Sequence, residues 1–234
     1  MKPTETSQGS LTQLLIACGI LSSVWYLIIN IYLPTQYPGY SVVSLTVSEL
    51  SAIGAPTRSL WVGLVMFYPV LFAAFGLGVL EVASSNRNLR TIGVLIVAYS
   101  VFNFYWPPMH QRGTEPTLTD TLHIVWASAT VLLMIVMMSL GAATFGKGFR
   151  IYTIVSIGLH IVFGILTGVE APNIPVNGPT PTIGVWERIN IAVFMLWVVV
   201  LATVLKRKSL PPAVEFKSKV RHFNGQAAME VTRS

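Results

Sequence analysis

Charged residues are scarce in this sequence. Asp, Glu, Lys and Arg make up 10% of its 234 residues, and the mean hydropathy is +0.66. Soluble domains carry about 25% charged residues, so this shortage excludes a water-soluble globule, a disordered chain and a fibrous repeat. Hydrophobic residues account for 53% of the chain. We therefore expect it to lie in a lipid bilayer.

Cysteine and acidic residues are also few. Cys18 is the single cysteine and lies in an apolar run, which excludes an intrachain disulfide, a thiolate metal site and a redox pair. The 9 Asp and Glu residues against 15 Lys and Arg give a net charge of +6. These basic residues occupy loops and a tail and form no folded basic face, so we expect no nucleic-acid partner.

Six stretches are long and apolar enough to cross a bilayer, whose core of about 30 Å requires roughly 20 helical residues. They predict an all-α integral membrane bundle of six transmembrane helices. The first stretch exceeds the apolar part of a signal peptide, about 7 to 15 residues, so we expect it to be retained. The predicted spans are Leu11–Leu33, Ser59–Val82, Thr91–Trp106, Thr121–Phe145, Ile151–Val169 and Val185–Leu205.

The basic residues predict the orientation of the bundle. The connections after the second and fourth spans are short and contain Arg87 and Arg90, and Lys147 and Arg150, respectively. If these loops share a side with both termini, that side holds all but three of the 15 Lys and Arg residues. The positive-inside rule then places both termini in the cytoplasm. The three exceptions are Arg58, Arg112 and Arg188.

This topology divides the chain into a cytoplasmic head at 1–10, a six-helix transmembrane domain at 11–205 and a basic tail at 206–234. We expect the tail to be flexible, the bilayer to be the main partner, and the location to be the plasma membrane. Anchoring of the last span is the simplest role for its basic end, and contact with anionic lipid headgroups is the alternative. The residues concerned are Lys206, Arg207 and Lys208.

Polar side chains concentrate at the predicted outer ends of the spans, whereas the inner half of the bundle is almost wholly apolar. Asp120 and His123 share a helix face, as do Glu187 and Asn190, because each pair is three residues apart. Such residues indicate either an outward-facing pocket with a sealed floor or an ion-pair lock between helix ends. The candidate pocket residues are Glu49, His110, Asp120, His123, Glu187, Arg188 and Asn190.

Within the spans, three features stand out. His160 lies about 15 Å into the fifth span, near the midplane, where it can form the pocket floor or be a neutral structural histidine. Pro69 should bend the second span because it lacks a backbone N–H. Small residues predict close helix packing around Gly78 in the second span, and at the Gly164 and Gly168 pair in the fifth.

Three stretches resemble an uncharacterised membrane family, the domain of unknown function 998, over about Leu11 to Leu205. They are VSELSAIGAPTRSLW (Val47–Trp61), FYWPPMHQRGTEPTLTDTLHIVWA (Phe104–Ala127) and ERINIAVFMLW (Glu187–Trp197). The resemblance implies six helices and a plasma membrane protein, but no known catalytic residue. The family's Ser-Glu-Leu element, Pro-containing turn, histidine and Glu-Arg pair correspond to Ser48, Glu49 and Leu50, to Pro107 and Pro108, to His123, and to Glu187 and Arg188.

The leading functional interpretation is a non-catalytic membrane protein whose outer pocket binds a small molecule or a lipid headgroup. An intramembrane metal-dependent lipid hydrolase is an alternative, with ligands drawn from the pocket carboxylates and histidines. A small-solute transporter is another, although the inner half offers no polar lining. A serine hydrolase using Ser48 or Ser51 with His123 is weaker, because no nucleophile elbow is present. Cofactor, metal and oligomeric state stay open.

The orientation can be tested with reporter fusions in living cells. Fusions after Arg87, Lys147 and Arg207 should report the cytoplasm, because the basic loops stay inside. Fusions near Tyr40, Glu115 and Asn177 should report the outside. An extracytoplasmic signal at Lys147 would reverse the orientation and with it the depth of every polar residue.

Overall fold

The computed structural model describes residues 5–208, and within that range the chain is all-helical and has no β-strand. Short 3₁₀ turns occupy Leu33–Gln36, Ser48–Ser51 and Ala171–Asn173. The α-helices are α1 (Glu5–Tyr32), α2 (Arg58–Val65), α3 (Phe67–Ala83), α4 (Arg87–Phe102), α5 (Leu118–Thr144), α6 (Lys147–Glu170) and α7 (Ile183–Lys208).

Within residues 5–208, five helical segments are long and apolar enough to cross a membrane, so the count of six spans is not confirmed. The five are Gly9–Gln36, Arg58–Ala83, Leu118–Thr144, Lys147–Asn173 and Ile183–Lys208. The predicted third span, Thr91–Trp106, corresponds to α4, which lies four residues nearer the N-terminus and has 16 residues. At 1.5 Å per residue α4 is about 24 Å long, shorter than a bilayer core of about 30 Å.

The shift of α4 has a local cause at each end. Asn86 accepts a hydrogen bond from the backbone N–H of Leu89 through its side chain, which fixes the start of the helix. At the other end, the chain leaves the helix at Asn103, and the Pro107-Pro108 pair further on cannot continue it. The apolar pattern therefore extends past the true helix end.

The second span is broken where Pro69 predicts a bend. The helix is interrupted at Met66, between α2 and α3. Pro69 has no N–H for the carbonyl of Val65, and its ring crowds that carbonyl. Close by, the indole N–H of Trp25 on α1 donates to the carbonyl oxygen of Leu64 at 2.9 Å. The Trp25 side chain thus gives the backbone carbonyl at the break a hydrogen-bond partner. Backbone polar groups need such partners where little water is present.

The core lies where α1, α3, α4 and α7 meet. α3 packs along both α1 and α4, and α7 packs on α1 and α6. Aromatic side chains fill the centre, with Phe72 in edge-to-face contact with both Tyr99 and Phe194, and Phe194 stacked on Trp197. The outer faces of the helices expose many Leu, Ile and Val side chains, which is compatible with contact with lipid.

The two ends of the bundle differ in chemistry. The basic end is defined here by Arg87, Arg90, Lys147, Arg150 and Lys206 to Lys208, at the starts of α4 and α6 and the end of α7. There the Lys208 ammonium lies 4.9 Å from the centre of the Phe145 ring. The polar end is defined by the connections 33–57, 103–117 and 171–182. Of the predicted head, residues 5–10 belong to α1, whereas Lys2 and the tail beyond Lys208 lie outside the described residues.

The glycines of the helices do not all serve packing. At Gly78 an added Cβ would lie 2.8 Å from the Cβ of Leu15 and 2.9 Å from the backbone nitrogen of Ile16 on α1. At Gly164 it would lie 3.2 Å from the Asn190 side chain, whereas at Gly168 it would meet nothing within 4 Å. The predicted packing role is thus observed at Gly78 and Gly164 and not at Gly168.

We expect Gly78→Ala to lower the free energy of unfolding by about 1 to 3 kcal/mol, because the new methyl group would push against the backbone of α1. Gly168→Ala is the matched control and should leave stability unchanged or slightly raised, since alanine favours a helix over glycine. Thermal unfolding of the two purified variants in the same detergent measures the difference. Equal melting temperatures would show that α1 and α3 are not in close contact.

Candidate functional site

The first connection folds over the polar end and is held there by a buried ion pair. The Arg112 Nε donates to Oε1 of Glu49 at 2.5 Å, and its Nη2 donates to Oε2 at 3.1 Å. Glu49 also accepts from the backbone N–H and the hydroxyl of Thr46, at 2.7 and 2.9 Å. Arg112 further donates to the carbonyl of Ser44 at 3.0 Å. This pair joins residues 44–49 to the connection between α4 and α5.

Arg188 holds the same connection from α7. Its Nη1 donates to the carbonyl oxygens of Val42 and Leu45, at 2.9 and 3.0 Å, and its Nη2 donates to the Tyr40 hydroxyl at 2.7 Å. That hydroxyl donates in turn to the carbonyl of Thr46 at 2.6 Å. Burial raises the pKa of Tyr40 above its usual value, so the phenol keeps its proton. Arg188 thus satisfies loop carbonyls and not a carboxylate.

Glu187 lies one residue earlier on α7 and reaches the next stretch of this connection. One carboxylate oxygen accepts from the backbone N–H of Val47, and the other lies 3.4 Å from the Ser48 hydroxyl. Glu187 and Ser48 both line the large cavity described below. The Glu187 carboxylate therefore fixes the backbone just before Ser48 and contacts its side chain.

His123 contacts Ser48 from the opposite side. Its Nδ1 lies 2.7 Å from the carbonyl oxygen of Pro107, and its Nε2 lies 3.2 Å from the Ser48 hydroxyl oxygen. A carbonyl can only accept, so Nδ1 carries the proton and Nε2 of the neutral ring is left as an acceptor. Ser48 is thus placed between an imidazole nitrogen and a carboxylate. Glu187 and His123 thus share Ser48 as a hydrogen-bond partner.

Asp120 pairs with His110 and not with the α7 residues. Its two oxygens accept from the backbone N–H of His110 at 2.7 Å and contact the ring Nδ1 at 2.9 Å. Asp120 also accepts from the backbone N–H and hydroxyl of Thr117, at 2.8 and 2.9 Å, completing a capping box at the start of α5. This carboxylate therefore fixes the end of the connection between α4 and α5.

A cavity of about 690 Å³ opens beside these groups and extends into the bundle. It exists because α5 packs on α4 and α6 but barely touches α7. Polar groups, including Ser48, His110, His123 and Glu187, lie at the polar end. Below them the walls are mostly apolar, with Val131, Met134 and Ile135 of α5 and Ile161 and Ile165 of α6.

His160 lines the deep part of this cavity together with Asn190. Its Nδ1 lies 3.2 Å from the carbonyl oxygen of Asn190, whose side-chain amide donates back to the carbonyl of His160 at 2.5 Å. Because Nδ1 must donate to a carbonyl, Nε2 is an acceptor. That Nε2 is fully buried and has no hydrogen-bond partner among residues 5–208.

The described residues contain no group of three His, Cys, Asp or Glu side chains that could hold a metal ion. His110 and Asp120 form a pair, and His123 and Glu187 lie on either side of Ser48, so the histidines and carboxylates of this end fall into separate pairs. Asp120 contacts His110, whereas His123 contacts Pro107 and Ser48, so these two side chains share no hydrogen-bond partner among the described residues.

Sequence reasoning assigned no role to Arg112. It appeared there only as one of the three basic residues on the predicted outer side. The position of Arg112 was the available clue. An arginine on the side with few basic residues is an exception to the positive-inside rule, and a partner within the protein accounts for such an exception. All three exceptions have one: Arg58 donates to the carbonyl of Ser51 at 2.5 Å, and Arg112 and Arg188 make the contacts described above.

Removing one partner of the buried ion pair should be costly. We expect Arg112→Ala and Glu49→Ala each to lower the free energy of unfolding by about 3 kcal/mol or more, because each leaves a buried charge without its partner. The double variant should lose less than the sum of the two. Arg90→Ala at the exposed basic end is the control. Additive losses in chemical unfolding would contradict the coupling.

Comparison with known proteins gives one match. The profile of the family described as protein of unknown function (DUF998) matches residues 20–204. No curated protein and no solved structure matches the chain. The matched range extends from α1 to the last turns of α7 and includes every residue of the candidate site. The resemblance found in the sequence is confirmed, and the chain belongs to the DUF998 family of proteins of unknown function.

Proposed function

We propose that the protein is a six-span protein of the plasma membrane, with both termini in the cytoplasm, and that its cavity binds an amphipathic molecule. The polar group of this ligand lies at the outer surface near Ser48, His123 and Glu187. Its apolar part extends along α5 and α6 toward His160. The short α4, third in chain order, is the span that brings the count from five to six.

The observation that carries this proposal is the division of the cavity into two zones. Its volume of about 690 Å³ lies within the range of about 300 to 1,000 Å³ that small-molecule sites occupy. Most of the hydrogen-bonding side chains gather at one end, while the walls further in are formed mainly by Ile, Val, Leu and Met, with His160 and Asn190 as a deep polar pair. A ligand that fits both zones has one polar end and one apolar end, as a lipid has.

Entry from the bilayer is supported by the exposure of the walls. Ile124 and Leu132 of α5 and Ile165 of α6 line the cavity and are 64%, 63% and 61% exposed. The cavity therefore shares apolar surface with the outside of the bundle. An amphipathic molecule can move sideways between lipid and cavity without bringing its chain into water.

Binding is favoured over transport because the basic end of the bundle is filled. Beyond His160 and Met134, the core holds the fully buried side chains of Met137, Met138 and Trp197. A transport path needs polar lining on both sides of the substrate site. The cavity instead ends on tightly packed apolar side chains.

The proposed orientation is supported by the bonding of the three arginines at the polar end. Arg58, Arg112 and Arg188 each donate to loop carbonyls or a carboxylate within the protein. The exposed basic residues at the ends of α4, α6 and α7 all lie at the other end. The positive-inside rule concerns such juxtamembrane charges, so the polar end faces outward.

A cavity-filling substitution tests ligand binding. The probe is a diazirine-bearing monoacylglycerol added to the protein in lipid nanodiscs and activated by light. We expect crosslinks, mapped by mass spectrometry, to concentrate on cavity residues of α5 and α6. Ala127→Phe should reduce their yield at least fivefold, because Ala127 lines the cavity.

Ala129→Phe is the matched control, since Ala129 lies on the same helix outside the cavity lining. Its crosslinking should equal that of the unchanged protein. Crosslinks spread evenly over the lipid-facing residues, or equal yields in both variants, would show that the cavity does not bind this class of molecule.

A further inference from the structure

We propose that Ser48 and His123 are the nucleophile and general base of an acyl-transfer site that cleaves an ester bond in the amphipathic ligand. The inference rests on the proposed function, since the cavity must first bind the ester. It adds ester cleavage to the proposed binding role of the cavity, and it identifies the substrate class as a lipid-like carboxylic ester.

The geometry of the imidazole carries this inference. A serine hydroxyl becomes nucleophilic when a base within hydrogen-bond reach takes its proton and a third group orients that base. His123 Nε2 lies 3.2 Å from the Ser48 hydroxyl oxygen, and the carbonyl of Pro107 binds Nδ1 at 2.7 Å. The carbonyl fixes the tautomer in which Nε2 is free to accept. The single Ser48 proton then goes to Nε2 at 3.2 Å, and the contact with Glu187 Oε1, at 3.4 Å, is the longer competitor for it. His123 is 8% exposed, so its ring is held in place.

The backbone on both sides of Ser48 is also fixed. Glu187 accepts from the N–H of Val47, and the following residue, Glu49, is bound to Arg112. Ser51 donates to the carbonyl of Ser48 at 3.0 Å. These bonds fix the nucleophile on a connection between helices. They take the place of the strand-to-helix elbow that positions the nucleophilic serine of other hydrolases and that this sequence lacks.

The reaction proceeds in two steps. Ser48 Oγ attacks the ester carbonyl carbon and its proton passes to His123 Nε2. The carbon–oxygen bond to the alcohol then breaks, and the alcohol leaves with the proton from Nε2. Water, entering from the polar end, gives a proton to Nε2 as its oxygen attacks the acyl carbon. The bond from that carbon to Ser48 Oγ then breaks, Oγ takes the proton back from Nε2, and the carboxylic acid leaves. Ester and water are consumed, and alcohol and acid are formed.

The position of the pair suits an ester at the boundary between lipid and water. Ser48 and His123 lie where the polar end of the cavity meets its apolar walls. A lipid ester carries its carbonyl at the junction of headgroup and chain. With the acyl chain along Val131 and Ile135, the carbonyl reaches Ser48 and the alcohol part faces His110 and Thr114 near the mouth.

The test is covalent labelling with an alkyl fluorophosphonate, which reacts with activated serines and loses fluoride. We expect one adduct per chain in nanodiscs, mapped to Ser48 in the unchanged protein by peptide mass spectrometry. Ser48→Ala should abolish labelling, and His123→Ala should slow it about 100-fold or more, in the range typical of a general base. Ser59→Ala is the control, because Ser59 is exposed at the same end and outside the cavity lining.

A second measurement separates this inference from the binding proposal. The unchanged protein should release p-nitrophenolate from p-nitrophenyl octanoate, with a burst of about one equivalent per chain, and Ser48→Ala should not. Absence of the Ser48 adduct and of the burst, with cavity crosslinking by the diazirine probe intact, would overturn the serine nucleophile and leave binding standing. Loss of crosslinking as well would overturn both. An adduct on another serine would also contradict the proposal.

Discussion

The buried carboxylate of Glu49 is the group on which the polar end of the molecule depends. A charge removed from water is tolerated only when it is paired and its remaining lone pairs are filled. Arg112 and Thr46 supply this from two sides. Because Arg112 belongs to the connection between α4 and α5, the pair joins two irregular chain segments, which are also linked by the bond from the N–H of Ile53 to the carbonyl of Met109. Together with Glu187 and Arg188 of α7, this pair positions residues 44–51.

Ser48 shows what this arrangement achieves. Helices place His123 and Glu187 with the precision of regular structure, but the serine between them comes from a connection. The two bonds next to it, from Val47 to Glu187 and from Glu49 to Arg112, hold the backbone of that connection on both sides of the serine. The polar end thus combines helical and loop residues in one site, and its stability and its chemistry share the same hydrogen bonds.

The sequence sufficed for the features that depend on local pattern. The apolar helices, the break near Pro69 and the gathering of polar residues at one end follow from periodicity, from the missing N–H of proline and from the cost of charge in lipid. The sequence did not determine which polar groups bind one another at that end. Asp120 could face Glu187 or His110, and the structure pairs it with His110 because Asp120 caps its own helix and the preceding connection returns over it. Arg188 likewise meets carbonyls that only the folded connection presents.

The gap between α5 and α7 links these features to a function. In a membrane, helices gain little from burying apolar surface against each other, so a cavity between them costs less when lipid-like molecules can fill it. Most of its polar side chains lie at one end because the backbone of the connections, and the arginines bound to it, must stay near water. At the deep end His160 and Asn190 satisfy each other except for one acceptor nitrogen. A ligand of the proposed amphipathic kind would have apolar walls beside its chain and, at its head, the hydrogen-bonding groups among which Ser48 and His123 face each other.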